Sequence, residues 1–311
     1  MSLLRIGTRK SPLALWQAEH VKARIEQQHA GVVVELVGIE TKGDKILDVA
    51  LAKVGGKGLF VKELEQALLE ERVDLCVHST KDMPADVPDG TALVAFPPRA
   101  DARDCLADPH GQGGQGGLSS LARGARVGTS SLRRQAQLLA RRPDLVIVSV
   151  RGNVATRLRK VDELQLACVV LACAGLDRLE SAKAITHRFS VEEMLPAAGQ
   201  GVLAIQARSD DARVLPLLAF LDDPMVRMTT SAERAFLKGL GGGCQVPIAA
   251  HALVDGDRLF LRGLVARPDG RVVVQGAAVG ATVDAVTLGS ALALDVKERG
   301  GARILAEVDV T

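Results

Sequence analysis

The sequence predicts an α/β protein of two similar lobes followed by a small C-terminal α+β domain. Three observations carry this. Short apolar, β-branched runs alternate with capped helical stretches through about residue 206. The order of elements in the first hundred residues recurs in the second hundred. After about residue 222 the pattern changes to one helix, three β-rich segments and a closing helix.

Taken in order, Leu3 to Gly7 reads as a short buried strand, and Thr8-Arg9-Lys10 as a loop. Ser11 as N-cap and Pro12 in the first turn open a helix to about His29. Val32 to Ile39 is a second strand, mostly β-branched and apolar. A basic glycine loop, Lys53-Val54-Gly55-Gly56-Lys57-Gly58, precedes a helical face over Phe60 to Arg72. Val73 to His78 is a third strand, ending in Ser79-Thr80-Lys81-Asp82-Met83-Pro84.

The second lobe repeats the plan. Ala125 to Gly128 is a strand, Thr129-Ser130-Ser131 a loop with a cap, and Leu132 to Arg142 a helix stopped by Pro143. Leu145 to Val150, a helix over about Val154 to Glu163, and the strand Ala167 to Ala172 follow. Gly7-Thr8 and Gly128-Thr129 fall at the same place in both units, so duplication with mostly parallel sheets is expected. Pro97-Pro98-Arg99 reads as a hinge, and Gly111 to Gly117 as a flexible surface loop. The apolar strand Val202 to Gln206 is expected to cross back to the first lobe. Thr230-x-x-Glu233 reads as a capping box for a helix ending at Gly241-Gly242-Gly243. Beyond it come β segments at 248–254, 258–266 and 271–279, and a closing helix from Thr282 to Gly300. The expected domains are 1–99 with 199–220, 100–198, and 221–311.

Composition narrows the function. The chain has 311 residues, 47% hydrophobic and 24% charged, as in ordinary globular proteins. A net charge of +2 gives no global case for nucleic acid, and with no Tyr and one Trp there are few aromatic platforms for stacking bases. No segment has the length of a membrane span, and the N-terminus lacks a signal-peptide pattern. Five cysteines without a C-x-x-C pair point to free thiols and a cytoplasmic setting. The histidines lack metal-ligand spacing, so no metal is expected.

The loops at strand carboxyl ends, where open α/β sheets bind ligands, are mostly cationic: Arg9, Lys10, Lys53, Lys57, Lys81, Arg133, Arg134, Arg151 and Arg157. Arg133 and Arg134 stand in the first turn of a helix, where positive charge opposes the macrodipole by about 0.3–1 kcal/mol each. A bound anion at that helix N-terminus would explain them; two solvated surface arginines is the plainer alternative. A cluster of such cationic loops implies a ligand with several carboxylates or phosphates, and because Walker A and G-x-G-x-x-G patterns are missing at a strand-to-helix turn, a nucleotide is not favoured. Asp82 is the acid among these bases, placed either to stabilise a cationic intermediate and move protons or to pair with a neighbouring base. Cys244 follows a helix C-terminus, whose negative end should raise a thiol pKa. It suits a thiol alkylated once better than a nucleophile used repeatedly.

With those residues in view, the chain resembles the porphobilinogen deaminase (hydroxymethylbilane synthase) family. The resemblance runs from Leu4 to about Val308 through RIGTRKSPLALWQ at 5–17, KVGGKGLFVKELE at 53–65, HSTKDMP at 78–84, VGTSSLRRQ at 127–135, RGNVATRL at 151–158, AAGQG at 197–201 and GGGCQVP at 241–247. It implies lobes like those of type II periplasmic binding proteins, and a dipyrromethane cofactor joined to Cys244 by a thioether. Four porphobilinogen molecules would add head to tail with loss of ammonia, giving hydroxymethylbilane for tetrapyrrole (haem) synthesis. Asp82 matches the catalytic aspartate. Lys81, Thr129, Ser131, Arg133, Arg134, Arg151 and Arg157 match cofactor-binding positions. Arg9, Ser11, Gln17, Arg178 and Gln200 match substrate-binding positions, together with Arg151 and Arg157. Lys53, Lys57 and Phe60 match a loop that can cover the active site. The resemblance implies a cytoplasmic monomer that binds neither nucleic acid nor membrane. Thr80 stands where a larger apolar residue is common, and GQGGQGG has the look of a local insertion. A two-lobed anion receptor without catalysis would show the same lobes but would leave Cys244 without a purpose.

Overall fold

In a computed structural model, residues 2–41, 61–242 and 246–309 are described. They divide into two compact units, Met1–Ala100 with Val202–Arg227, and Asp101–Gly201 with Met228–Thr311.

In the first unit, β1 (Ser2–Thr8) leads into α1 (Pro12–Gln28) and β2 (Val32–Gly38). Then come α2 (Lys62–Leu69), β3 (Leu75–Ser79), a 3₁₀ turn over Thr80–Asp82, and β4 (Thr91–Ala95). Ser11 caps α1 as expected, its side chain accepting from the Ala14 amide at 3.4 Å. In the second unit, β5 (Asp104–Ala107), β6 (Arg126–Gly128), α3 (Leu132–Arg141), β7 (Val146–Val148), α4 (Val154–Glu163), β8 (Cys168–Ala172), the short α5 (Cys173–Arg178) and β9 (Ile185–Arg188) follow. Strand β10 (Leu203–Arg208) belongs to the first unit, as the apolar run at 202–206 anticipates.

The two sheets share one order. The first runs β2-β1-β3-β10-β4 and the second β7-β6-β8-β5-β9. Strand β1 pairs in parallel with β2 and β3, and β6 in the same way with β7 and β8. A strand from elsewhere in the chain then inserts antiparallel between the third strand and the edge: β10 in one sheet, β5 in the other. Two antiparallel neighbours in succession restore direction, so the edge strand runs with the first three and only the inserted strand runs against the other four. The sheets are mostly parallel in strand direction, as expected, with one reversed strand each. Gly7 and Gly128 occupy equivalent strand ends for a steric reason: a Cβ would lie 2.9 Å from Cys76 Sγ at one and 2.7 Å from a Val169 methyl at the other.

The glycine-rich loop at 111–117 is tied down rather than loose. Asp108 accepts hydrogen bonds from the amides of His110, Gln112 and Gly113, and Thr186 Oγ1 donates to the Gly113 carbonyl. Gly114 and Gly117 are buried with φ of 81° and 83°, which is why this loop needs glycine.

The short α6 (Leu215–Leu218) precedes α7 (Pro224–Gly239). Helix α7 starts six residues before the anticipated capping box at Thr230. The cap is instead Asp223, whose Oδ1 accepts from the amides of Met225 and Val226 at 2.9 and 3.1 Å. Glu233 lies within the helix, fully buried, and accepts from the amides of Gly199 and Ala252 at 2.6 and 2.8 Å. A residue read as a local cap is thus a long-range anchor for the AAGQG segment.

A three-stranded antiparallel sheet, β11 (Ile248–Asp255), β12 (Arg258–Ala266) and β13 (Val273–Ala281), follows as the turn signals predict. One face packs on Phe236, Leu240, Leu292 and Val296. The expected closing helix is α8 (Ala285–Val296) and α9 (Ala302–Asp309), separated by a wider turn where Gly300 adopts a φ of 110°.

Candidate active site

In the first unit, the carboxyl ends of β1 and β3 and the start of α1 make one pocket. It is lined by Arg9, Ser11, Leu13, Ala14, Gln17, Val61, Leu64, Val77, His78, Ser79 and Asp82. The β1–α1 turn supplies Arg9 and the capping Ser11. Gln17, one and a half turns into α1, is buried and donates from Nε2 to Ser79 Oγ at 2.9 Å. That bond joins α1 to the end of β3, immediately before the 3₁₀ turn that carries Lys81 and Asp82. Asp82 is exposed at this turn and makes no ion pair among the described residues. Arg9, Ser11, Gln17 and Asp82, singled out separately in the sequence, are brought together here.

His78 and Ser79 also line the pocket, although residue type alone did not single them out. The signal was present in their adjacency to Lys81-Asp82 at a strand end. Burial pushes the His78 imidazole down to about 4, opposed by its hydrogen bond to Gln206 and aided by the charge of Arg9.

In the second unit, the corresponding strand ends present hydroxyls and guanidinium groups. Thr129 is buried, and its Oγ1 accepts from the Ser131 amide at 3.2 Å. Ser131 caps α3 by accepting from the Arg134 amide at 3.5 Å. At the next strand end, Asn153 caps α4 by accepting from Thr156 N at 2.9 Å, and Arg157 Nε donates to the Gly152 carbonyl at 2.8 Å. The Arg151 carbonyl receives Lys160 Nζ at 3.2 Å, and the Arg151 side chain is half-buried.

Arg133 and Arg134 are not solvated: both are buried around one carboxylate of the protein, which balances one of their two charges. Both are 5% exposed, and Asp104, fully buried on β5, binds both. Arg133 Nη1 donates to Asp104 Oδ2 at 2.6 Å and to the Leu195 carbonyl at 2.8 Å. Arg134 donates to Asp104 Oδ1 through Nε and Nη2, at 3.0 and 2.7 Å, and through Nη1 to the Val170 carbonyl. Burial holds Arg133 below the usual arginine range, partly offset by the Asp104 charge. The reading of two solvated surface arginines is thereby excluded: the protein supplies one carboxylate of its own, from a strand about thirty residues upstream, and one of the two positive charges is left over. Gln200 belongs to this network, donating from Nε2 to the Ala102 carbonyl at 2.7 Å and to Asp104 Oδ1 at 3.0 Å with no exposed surface. Asp104 is what sequence reasoning missed; a carboxylate opening an apolar strand, Asp104-Cys105-Leu106-Ala107, was the available sign.

Arg178 Nη2 donates to the Gly201 carbonyl at 2.9 Å, and burial lowers its pKa. Lys53, Lys57, Phe60 and Cys244 lie outside the described residues. Among the described residues no cluster of His, Cys, Asp or Glu could hold a metal ion, and no helix is long and apolar enough to cross a membrane.

The donor set suits a polycarboxylate group such as dipyrromethane, whose acetate and propionate arms call for guanidinium and hydroxyl partners. Thr129, Ser131, Arg151 and Arg157 supply these at neighbouring strand ends, whereas five hydrogen bonds from Arg133 and Arg134 go to the protein interior.

Comparison with known proteins agrees with this chemistry. Residues 4–216 match the family described as porphobilinogen deaminase, dipyromethane cofactor binding domain, and residues 228–298 match the porphobilinogen deaminase C-terminal domain. A porphobilinogen deaminase of Syntrophotalea carbinolica is 54% identical over 310 residues, covering 100% of this chain and 97% of that protein. Among solved structures, the methionine binding protein MetQ is 16% identical over 70% of this chain and 89% of its own, with a TM-score of 0.45. A Salmonella typhimurium periplasmic binding protein of high arginine specificity is 13% identical over 73% and 94%, with a TM-score of 0.37. With both family regions matched in order and more than half of the residues identical to a curated relative along the whole chain, this protein belongs to the porphobilinogen deaminase family.

Proposed function

We propose that Asp82 is the catalytic carboxylate of the hydroxymethylbilane synthase reaction that this chain carries out. In that reaction four porphobilinogen molecules join head to tail with loss of ammonia, and a dipyrromethane cofactor serves as the primer. The observation that supports the assignment is the pocket itself. It holds one exposed carboxylate beside Arg9, Ser11, Gln17 and Ser79. A carboxylate so placed can stabilise the methylene-pyrrole cation left when the amino nitrogen of the aminomethyl arm departs as ammonia, and can take the proton released as that methylene carbon bonds to the next pyrrole.

The other residues bind and orient. Arg9 and Ser11, at the mouth of α1, suit the substrate's acetate and propionate groups, with Gln17 holding Ser79 in place. Lys81, Thr129, Ser131, Arg151 and Arg157 are assigned to cofactor carboxylates, with Arg151 and Arg157 serving the substrate as well. Arg178 and Gln200 complete the substrate set, Gln200 through Asp104 rather than by an exposed amide. Arg133 and Arg134 are assigned to the cofactor by family position, with Asp104 fixing where their remaining hydrogen-bonding edges point. Cys244 is the thioether attachment point, and Lys53, Lys57 and Phe60 belong to a covering loop. When bound, the dipyrromethane supplies a nucleophilic pyrrole carbon to which the first substrate is joined.

The domains are read as 1–99 with 199–220, 100–198 and 221–311, the last built on the three-stranded sheet and its helices. We assign the protein to the cytoplasm as a monomer with no nucleic-acid or membrane partner. The deciding experiment is Asp82→Asn: the variant should fold and lose nearly all turnover, and normal turnover would remove Asp82 from the mechanism.

A further inference from the structure

His78 has a hydrogen-bond environment that fixes its tautomer. Thr91 Oγ1 donates to the Pro88 carbonyl at 2.8 Å, so toward Gln206 it acts as an acceptor. Gln206, fully buried, therefore gives one amide hydrogen to Thr91 Oγ1 at 3.0 Å and the other to Glu65 Oε1 at 3.2 Å. With both amide hydrogens used, its Oε1 faces His78 Nε2 at 3.0 Å and can only accept. The proton is on Nε2, and the depressed pKa keeps the ring neutral at physiological pH. Nδ1 is then a bare acceptor. It has no hydrogen-bond partner among the described residues, and His78 lines the same pocket as Asp82, Arg9 and Ser11.

We propose that His78 is a substrate-binding residue, its Nδ1 accepting a hydrogen bond from an N–H donor of the pyrrole substrate in the Asp82 pocket. The pocket otherwise offers a guanidinium, hydroxyls and one carboxylate, which suit the carboxylate arms and the reacting centre. A neutral acceptor with a fixed lone pair gives the substrate's nitrogen a partner without adding charge beside Asp82. Gln206 and Glu65 act only through His78, as positioning residues that hold its tautomer. The inference rests on the Asp82 pocket being the substrate site.

Two substitutions separate this role from a structural one. In H78Q the amide nitrogen reaches the Nε2 position and keeps the donor to Gln206, but no acceptor remains at Nδ1. KM for porphobilinogen should rise about tenfold with little change in kcat or melting temperature. In H78N the side-chain oxygen takes the Nδ1 position while the donor to Gln206 is lost, so KM should recover to within about threefold of the parent while the melting temperature falls. A parental KM in H78Q, or a KM in H78N raised as far as in H78Q, overturns the proposal. D82N assayed alongside distinguishes the failures. If D82N is inactive and H78Q has parental kinetics, only the role of His78 is lost; if D82N turns over normally, the pocket is not the reaction site.

Discussion

Asp104 Oδ2 accepts from Arg133 Nη1 at 2.6 Å in a fully buried contact, and its other oxygen is forked by Arg134. One carboxylate thus serves two buried cations, helped by the neutral amide of Gln200. Breaking a buried ion pair from one side leaves an uncompensated charge, which costs about 3–5 kcal/mol. Asp104→Asn should therefore lower stability by at least that much, since two guanidinium groups lose their counter-ion. Chemical denaturation of the variant checks this, and an unchanged midpoint would mean that the network contributes nothing to stability.

Asp82 makes no comparable contact among the described residues. Exposed at the 3₁₀ turn, it can be changed to asparagine with a stability effect within about 0.5 kcal/mol. D82N should keep its melting temperature and its covalent cofactor while losing nearly all turnover. Thermal melting, intact-mass measurement and product assay together test all three.

The assignment of Cys244 has a readout independent of turnover. Freshly purified protein should show an intact mass above that of the bare sequence by one dipyrromethane. Cys244→Ala should show the sequence mass alone. Equal masses in the two proteins, once the substitution itself is accounted for, would rule out covalent attachment at this residue.

Thr80 carries a buried hydroxyl without a hydrogen-bond partner among the described residues. An unsatisfied buried hydroxyl costs about 1–3 kcal/mol, and valine has nearly the same shape without that group. Thr80→Val should raise stability by about 1 kcal/mol, seen as a later denaturation midpoint. A loss of stability would mean that the hydroxyl has a partner in solution.

The site was legible in the sequence wherever one short segment carries it. Ser11 could be named as a cap because its partner, the Ala14 amide, is three residues away. Asp82 stood out as an acid beside Lys81 at a strand end. Strands β4, β5 and β9 were not legible: they are short, and two of them hold their place only by pairing antiparallel with the inserted strand. Glu233 was misread for a related reason, since Thr-x-x-Glu is a local pattern but the partners of Glu233, Gly199 and Ala252, are distant in sequence.

By itself the sequence determined the two-lobe plan, the C-terminal sheet, the family and the cationic and hydroxyl residue types at the strand ends. These follow from periodicity, caps, turns and long ordered motifs, all of which act over a few residues. Only the tertiary structure decided what each charge is for. Arg133 and Arg134 could be two solvated surface cations until β5, inserted between β8 and β9, brings Asp104 beneath them. Likewise His78 is an ordinary strand residue until β10 places Gln206 against its ring. The strength and role of a charge or a proton depend on burial and on partners brought in by chain crossover, and neither is written in the neighbouring residues.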